Sequence, residues 1–238
     1  TFGHSSQYDT IIHNYLKEKP LSDNLSMTFK KHSEMRYGEN PHQKAAAYAI
    51  PGNTSSSVLN AIIHQGKKLS YNNMMDADGA LACIREFEDP ACVIVKHGNP
   101  CGVAIGEDLL DVYKRAFAAD SISAFGGIVA LNRHCSKQLA EEIMKVFVEI
   151  VIAPSFNPEA LIEFKKKKNL RVLAIKNMGE KEDLLEIKNI HGGILVQDKD
   201  GKQVTPDDLN IVTIKQPSLK DVETAIFTWK VLKHAKSN

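Results

Sequence analysis

Apolar residues recur at helical spacing in the first segment, where Tyr8, Ile11, Ile12, Tyr15 and Leu16 share a face between His4 and Leu16. Lys17-Glu18-Lys19-Pro20 then breaks the pattern. From Met74 to Phe87, the spacing of Met75, Leu81, Ile84 and Phe87 predicts a helix with one buried face, despite Gly79 near its middle, and Pro90 closes it. Ala91 to Val95 reads as a buried strand, Asp108 to Ala119 as a helix, Gly127 to Leu131 as a strand and Lys137 to Val148 as a helix. Asn157-Pro158-Glu159 opens another helix, with Asn157 as cap and Pro158 in the first turn, and Lys165 to Lys168 ends it as a solvated turn that complements the helix dipole. Arg171 to Ile175 and Gly193 to Val196 are predicted strands, and Asp198-Lys199-Asp200-Gly201-Lys202 a hairpin turn leading to Val204. A capping pattern from Ser218 to Asp221 starts a last helix carrying Val222, Ala225, Ile226, Trp229 and Leu232 on one face. This alternation predicts an α/β protein with a parallel or mixed sheet covered by helices. There is no internal repeat and no low-complexity linker.

Composition narrows the function. With 238 residues, 43% hydrophobic and 25% charged, the chain can bury a core as one large or two small domains. The balance of 30 basic against 29 acidic residues, net +1, gives no global bias toward nucleic acid or membrane, so an anion site must be local. No apolar stretch is long enough to span a bilayer. Cys83, Cys92, Cys101 and Cys135 show no close paired spacing and no signal peptide precedes them, so a reduced, cytoplasmic setting is expected.

The chemistry-bearing stretch is Lys96-His97-Gly98-Asn99-Pro100-Cys101-Gly102, placed where the apolar run Val93-Ile94-Val95 is expected to give way to a tight loop. Open α/β sheets keep their ligands at the carboxyl ends of strands. A histidine that titrates near neutrality beside a lysine fits acid–base work together with stabilisation of a developing oxyanion; a structural histidine is the plain alternative. Zinc nucleoside deaminases place H-x-E before P-C-x-x-C, but His97-Gly98-Asn99 lacks the Glu and Pro100-Cys101-Gly102-Val103-Ala104 lacks the second Cys, which argues against zinc hydrolysis. Arg36-Tyr37-Gly38-Glu39-Asn40-Pro41-His42-Gln43 combines a planar fork for phosphate or carboxylate with a flat face for a base, or is a surface turn held by Asn40 and Pro41. In Leu69-Ser70-Tyr71-Asn72-Asn73, Asn72 or Asn73 is expected to cap the helix that follows, and one can cap while its neighbour binds. In Asp120 to Gly127, Gly126 and Gly127 let backbone approach a ligand with Phe125 as cover; otherwise this is an αβ loop with a buried Phe.

The order of Arg36 to Gln43, Leu69 to Asp76, Val95 to Gly106, Asp120 to Gly127 and Glu149-Ile150-Val151-Ile152-Ala153-Pro154 resembles, over nearly the whole chain, one known family. This is the transformylase part of the bifunctional aminoimidazole carboxamide ribonucleotide (AICAR) formyltransferase / inosine monophosphate (IMP) cyclohydrolase family of bacterial type. The resemblance implies a three-layer α/β/α subdomain of cytidine-deaminase type. It implies that residues 1–20 are the tail of the cyclohydrolase domain and a linker, 21–215 the first transformylase subdomain, and 216–238 a helix toward a second subdomain absent from this truncated chain. It further implies formyl transfer from 10-formyltetrahydrofolate, as co-substrate, to AICAR, with no metal required. His97 would then assist deprotonation of the amine, Lys96 stabilise the formyl oxygen, and Asn238, in the Lys-x-x-x-Ser-Asn motif from Lys233, assist catalysis. Arg36, Tyr37, Asn73, Phe125, Gly126 and Glu149 would bind substrate, Glu149 standing where some members carry Asp. The implied partners are AICAR and folate, with no nucleic acid or membrane partner, in a cytoplasmic homodimer. A nucleoside deaminase on the same scaffold and a non-catalytic nucleotide-binding or assembly module are the competing readings.

Overall fold

A computed structural model describes residues 2–17, 19, 21–179 and 185–236 of the chain. Its contacts fall into two compact units, residues 1–54 and 55–238. In the first unit, α1 (Phe2–Leu16) forms as its spacing predicts, yet none of its residues is buried. The strands β1 (Lys30–Glu34) and β2 (Ala46–Ala49) pair antiparallel on either side of the Arg36–Gln43 segment. That segment is a held loop: the Gly38 N–H donates to Gln43 O at 2.8 Å, and Gln43 Oε1 accepts the Asn40 N–H at 2.7 Å.

The second unit runs β3 (Ile62–Gln65), α2 (Tyr71–Ile84), β4 (Ala91–Lys96), β5 (Asn99–Ile105), α3 (Leu109–Ala119), α4 (Ser121–Ala124), β6 (Ile128–Leu131), α5 (Lys137–Ile143), β7 (Ile150–Ala153), α6 (Pro158–Phe164), β8 (Arg171–Ala174), β9 (Leu185–Ile190), β10 (Gly193–Asp198) and α7 (Leu219–Leu232). Six strands form one mixed sheet in the order β3-β8-β7-β6-β4-β5. Strands β6, β7 and β8 are parallel; β4 is antiparallel to β5 and β6, and β3 to β8.

Strand side chains alternate between two cores. Cys92, Ile94, Val129, Leu131, Val151 and Val172 meet α3, α5 and α6 through Val112, Leu139 and Phe164. Val93, Val95, Ile128, Ile150, Ile152 and Leu173 meet α2 on the other face through Ala80, Leu81 and Ile84. Both faces are covered by helices, which is why the central strands read as continuous apolar runs.

Several expectations need correction. The tight loop expected after Val95 is only the two residues His97-Gly98: β4 continues to Lys96, which pairs with Asn99 at the start of β5. The second hairpin joins β9 and β10 through His191-Gly192, not residues 198–202, because Leu185 to Ile190 supplies the partner strand. Helix α5 ends at Ile143, and Val148 is buried at the entry to β7. Helix α2 starts at Tyr71 with Ser70 as its cap, and Met75 is exposed. In α7 the packed face is Phe227 and Val231, while Trp229 and Leu232 stay exposed. Asn157 stands at the cap position of α6, but its side chain meets the His134 ring instead. Lys167 is not a solvated cation: it donates to Met144 O and Val146 O, both at 2.6 Å, and burial pushes its ammonium below the usual lysine range.

Candidate active site

Strand direction decides what meets at one end of the sheet. Because β4 is antiparallel to β6, Val95 lies opposite Ile128; Ile128 lies opposite Ile150 and Ile150 opposite Arg171. The carboxyl end of β4 therefore stands level with the amino ends of β6, β7 and β8. The expected rule of strand carboxyl ends holds for Lys96 alone; Gly126 and Glu149 precede their strands. This end collects Lys96, His97, Phe125, Gly126, Glu149 and, through α2, Asn73.

His97 and Gly98 are the two central residues of the β4–β5 hairpin, with φ of 53° and 73°. Positive φ at both positions is the signature of a type I′ turn, a conformation that favours Asn-Gly. A histidine there stores about 1–3 kcal/mol of backbone strain, and such strain clusters at functional sites. The imidazole is exposed. Asp76 Oδ1 on α2 accepts the Gly98 N–H at 2.7 Å. Asn99 Nδ2 donates to His97 O at 3.4 Å, while Asn99 Oδ1 accepts the Lys236 N–H at 2.7 Å. Helix α7 thus delivers the chain to the His97 turn at Lys236. Asn238, the third expected catalytic residue, lies outside the described residues.

Lys96 Nζ donates to Phe125 O at 2.9 Å, joining the cation to the α4–β6 loop. Asp120 caps α4 by accepting the Ser123 N–H at 2.9 Å, and its carboxyl is held below the usual range by the Ser123 hydroxyl and N–H, with a smaller contribution from Lys96. Phe125 is 58% exposed, so it is not the buried residue of a plain αβ loop. Its ring lies 5.5 Å from that of Phe147. Gly126 has φ 75° and donates to Phe147 O at 2.8 Å. A Cβ on Gly127 would stand 3.0 Å from Val95 O and 3.1 Å from Ala124 O, so one glycine serves the turn and the other the close approach.

Asn73 is the third residue of α2 and shares a capping box with Ser70, as its N–H donates to Ser70 Oγ at 3.1 Å. Its amide also faces Glu149 Oε2, at 3.5 Å. The same carboxylate oxygen accepts from Arg171 Nη1 at 2.8 Å. Arg171, 12% exposed in its side chain, also donates from Nε to Lys67 O at 3.2 Å. Sequence reasoning missed Arg171, Asp76 and Asn99; an arginine heading the apolar strand Val172-Leu173-Ala174 was the available signal for the first. Arg36 and Tyr37 belong to the first unit, where the Arg36 guanidinium lies 5.7 Å from the Tyr37 ring centroid.

No group of three or more His, Cys, Asp or Glu side chains among the described residues is arranged to hold a metal ion. The sheet end presents an exposed imidazole on a left-handed turn, an adjacent ammonium, an exposed aromatic ring, and amide and carboxylate groups. No helix of the described residues is long and apolar enough to cross a membrane.

The chain is an α/β protein, a mixed sheet flanked by helices with polar side chains gathered at one sheet end. The chain belongs to the AICARFT/IMPCHase bienzyme family, whose sequence pattern matches residues 1–238. It is 48% identical over 240 residues to the bifunctional purine biosynthesis protein PurH of Thermoanaerobacter sp. (strain X514). It is 47% identical over 243 residues to PurH of Acetivibrio thermocellus, and 45% over 240 residues to PurH of Bacillus thuringiensis (strain Al Hakam). Each similarity covers 100% of this chain and 47% of the relative. The chain spans about half the length of the curated relatives it matches.

Proposed function

We propose that this chain carries part of an AICAR formyltransferase active site, in a protein that also has IMP cyclohydrolase activity and acts in purine (IMP) biosynthesis. The observation that supports it best is His97, exposed on a left-handed turn next to Lys96, at the sheet end shared with Phe125, Gly126, Asn73 and Glu149.

In this reading the 5-amino group of AICAR attacks the formyl carbon of 10-formyltetrahydrofolate. His97 takes the proton that the amine loses as the new N–C bond forms. Lys96 has one ammonium proton engaged with Phe125 O and others available to the oxygen that becomes negative in the tetrahedral intermediate. Collapse breaks the bond between the formyl carbon and N10; N10 regains a proton, and the products are formyl-AICAR and tetrahydrofolate. An aromatic amine conjugated to a carboxamide is a weak nucleophile, so positioning and proton handling are both required. Phe125 covers the substrate ring, Gly126 lets backbone approach it, and Asn73 and Glu149 contact the nucleotide. Arg36 supplies the fork for phosphate and Tyr37 the stacking face. Asn238 assists catalysis. The proposed organisation keeps residues 1–20 as the cyclohydrolase tail and linker, 21–215 as a cytidine-deaminase-like subdomain and 216–238 as a connector, in a cytoplasmic homodimer.

The test is formyl transfer from 10-formyltetrahydrofolate to AICAR by this chain, by a polypeptide extended to the length of its relatives, and by the extended polypeptide carrying His97→Ala. Transfer in the extended protein that falls at least about 100-fold on substitution supports the reading. A folded extended protein without transfer refutes it and favours a non-catalytic nucleotide-binding module.

A further inference from the structure

His97 occupies a left-handed conformation that a Cβ disfavours, imposed by the two-residue register between Lys96 and Asn99 and met by hydrogen bonds from outside the turn. Two side chains hydrogen-bond to the turn. From α2, the half-buried Asp76 accepts the Gly98 N–H at 2.7 Å, a short charge-assisted bond to the residue that follows the imidazole. From the β5 side, Asn99 reaches His97 O with its amide nitrogen at 3.4 Å and holds the Lys236 N–H on its amide oxygen at 2.7 Å. Asp76 has no part in the cap of its own helix, which Ser70 and Asn73 complete between them. Its carboxylate therefore serves the turn.

We propose that Asp76 and Asn99 are positioning residues for His97: Asp76 holds the left-handed His97-Gly98 turn, and Asn99 ties that turn to the segment entering at Lys236. The inference rests on the formyl-transfer reading above. Neither residue touches substrate in this account. They keep the imidazole within the few tenths of an ångström that an attacking amine tolerates, where a misplacement of about 1 Å costs about 100-fold in rate.

The experiment uses the polypeptide extended to the length of its relatives, as wild type and as His97→Ala, Asp76→Ala, Asp76→Asn and Asn99→Ala. Asp76→Ala is expected to lower kcat about 10–100-fold with each KM within about 3-fold. Asp76→Asn, which keeps an oxygen acceptor at the same place, is expected to recover kcat to within about 5-fold of wild type. Asn99→Ala is expected to lower kcat about 10-fold with each KM within about 3-fold. Amide hydrogen exchange at Gly98 supplies a readout independent of activity: at least about 10-fold faster in Asp76→Ala, near wild type in Asp76→Asn. A kcat of Asp76→Ala within about 3-fold of wild type, an Asp76→Asn no better than Asp76→Ala, or unchanged Gly98 exchange overturns the proposal. If Asp76→Ala does not fold, Asp76→Asn and Gly98 exchange decide. Absence of transfer in the wild type refutes the functional reading instead, and Gly98 exchange still tests the grip of Asp76.

Discussion

Replacing Glu86 with Gln removes one negative charge from the junction that fastens the end of α7 to the α2–β4 connection. The Glu86 side chain is 8% exposed, and its carboxylate accepts from Lys233 Nζ at 2.7 Å, His234 Nε2 at 3.2 Å and Gln203 Nε2 at 3.0 Å. Burial pushes this carboxyl up, but the three donors and the Lys233 charge outweigh it and bring it down to about 2 from an ordinary 4.5. At about 1.36 kcal/mol for each tenfold, that difference is worth about 3 kcal/mol at neutral pH. Removing one member of a buried pair independently predicts a loss of about 3–5 kcal/mol, since Lys233, 11% exposed, keeps its charge without its carboxylate. Glu86→Gln should therefore lower the urea midpoint at pH 7 by roughly 1–1.5 M with an unchanged slope. A depressed carboxyl stabilises above its unfolded value and loses that contribution as pH falls through its folded one. The wild-type advantage over Glu86→Gln should thus hold above pH 4.5, drop to less than about half by pH 3 and be nearly gone at pH 2. The measurement is urea unfolding followed by circular dichroism between pH 7 and pH 2. A difference under about 1 kcal/mol at pH 7, or one that does not shrink between pH 4.5 and pH 2, refutes the reasoning.

Three further outcomes follow from the same geometry. His97→Asn places a residue suited to left-handed turns at φ 53°, so it should raise stability by about 0.5–1 kcal/mol in urea unfolding while lowering formyl transfer at least about 100-fold; a destabilised variant would show that the turn is not strained by histidine. Gly102→Ala drives a Cβ into Ala116 O on α3, a backbone atom, and should cost about 2–3 kcal/mol or more, read as a lowered thermal midpoint; an unchanged midpoint would contradict the close packing of α3 on β5. Burial pushes the Cys83 and Cys135 thiols up to about 12, raises Cys92 further and raises half-buried Cys101 too, so a thiol-exchange reagent at pH 8 should find at most one slow thiol in the native chain and four in denaturant. Two or more fast thiols in the native chain would refute this.

Local chemistry determined much of this protein from sequence alone. The runs Ala91 to Val95 and Gly127 to Leu131 read as strands from their apolar character and flanking turns, and Ser218 to Asp221 encodes the cap of α7 in the side chains that form it. The prominence of Lys96 and His97 was also legible, because a titratable pair beside an apolar run and glycines is unusual wherever the fold puts it. Tertiary structure decided the rest. Nothing in the one-dimensional pattern says that β4 runs against β6, and that reversal alone puts Lys96 level with Gly126 and Glu149 rather than at the opposite end of the sheet. The left-handed backbone of His97 depends on a two-residue register between Lys96 and Asn99 and on Asp76 from another element. The face of α7 that packs is set by where Phe87 and Glu86 wait, so Phe227 and Lys233 turn inward and Trp229 turns out. Periodicity reports what a segment can bury; strand direction and long-range pairing, which cost chain entropy and are decided by the whole core, report what it meets.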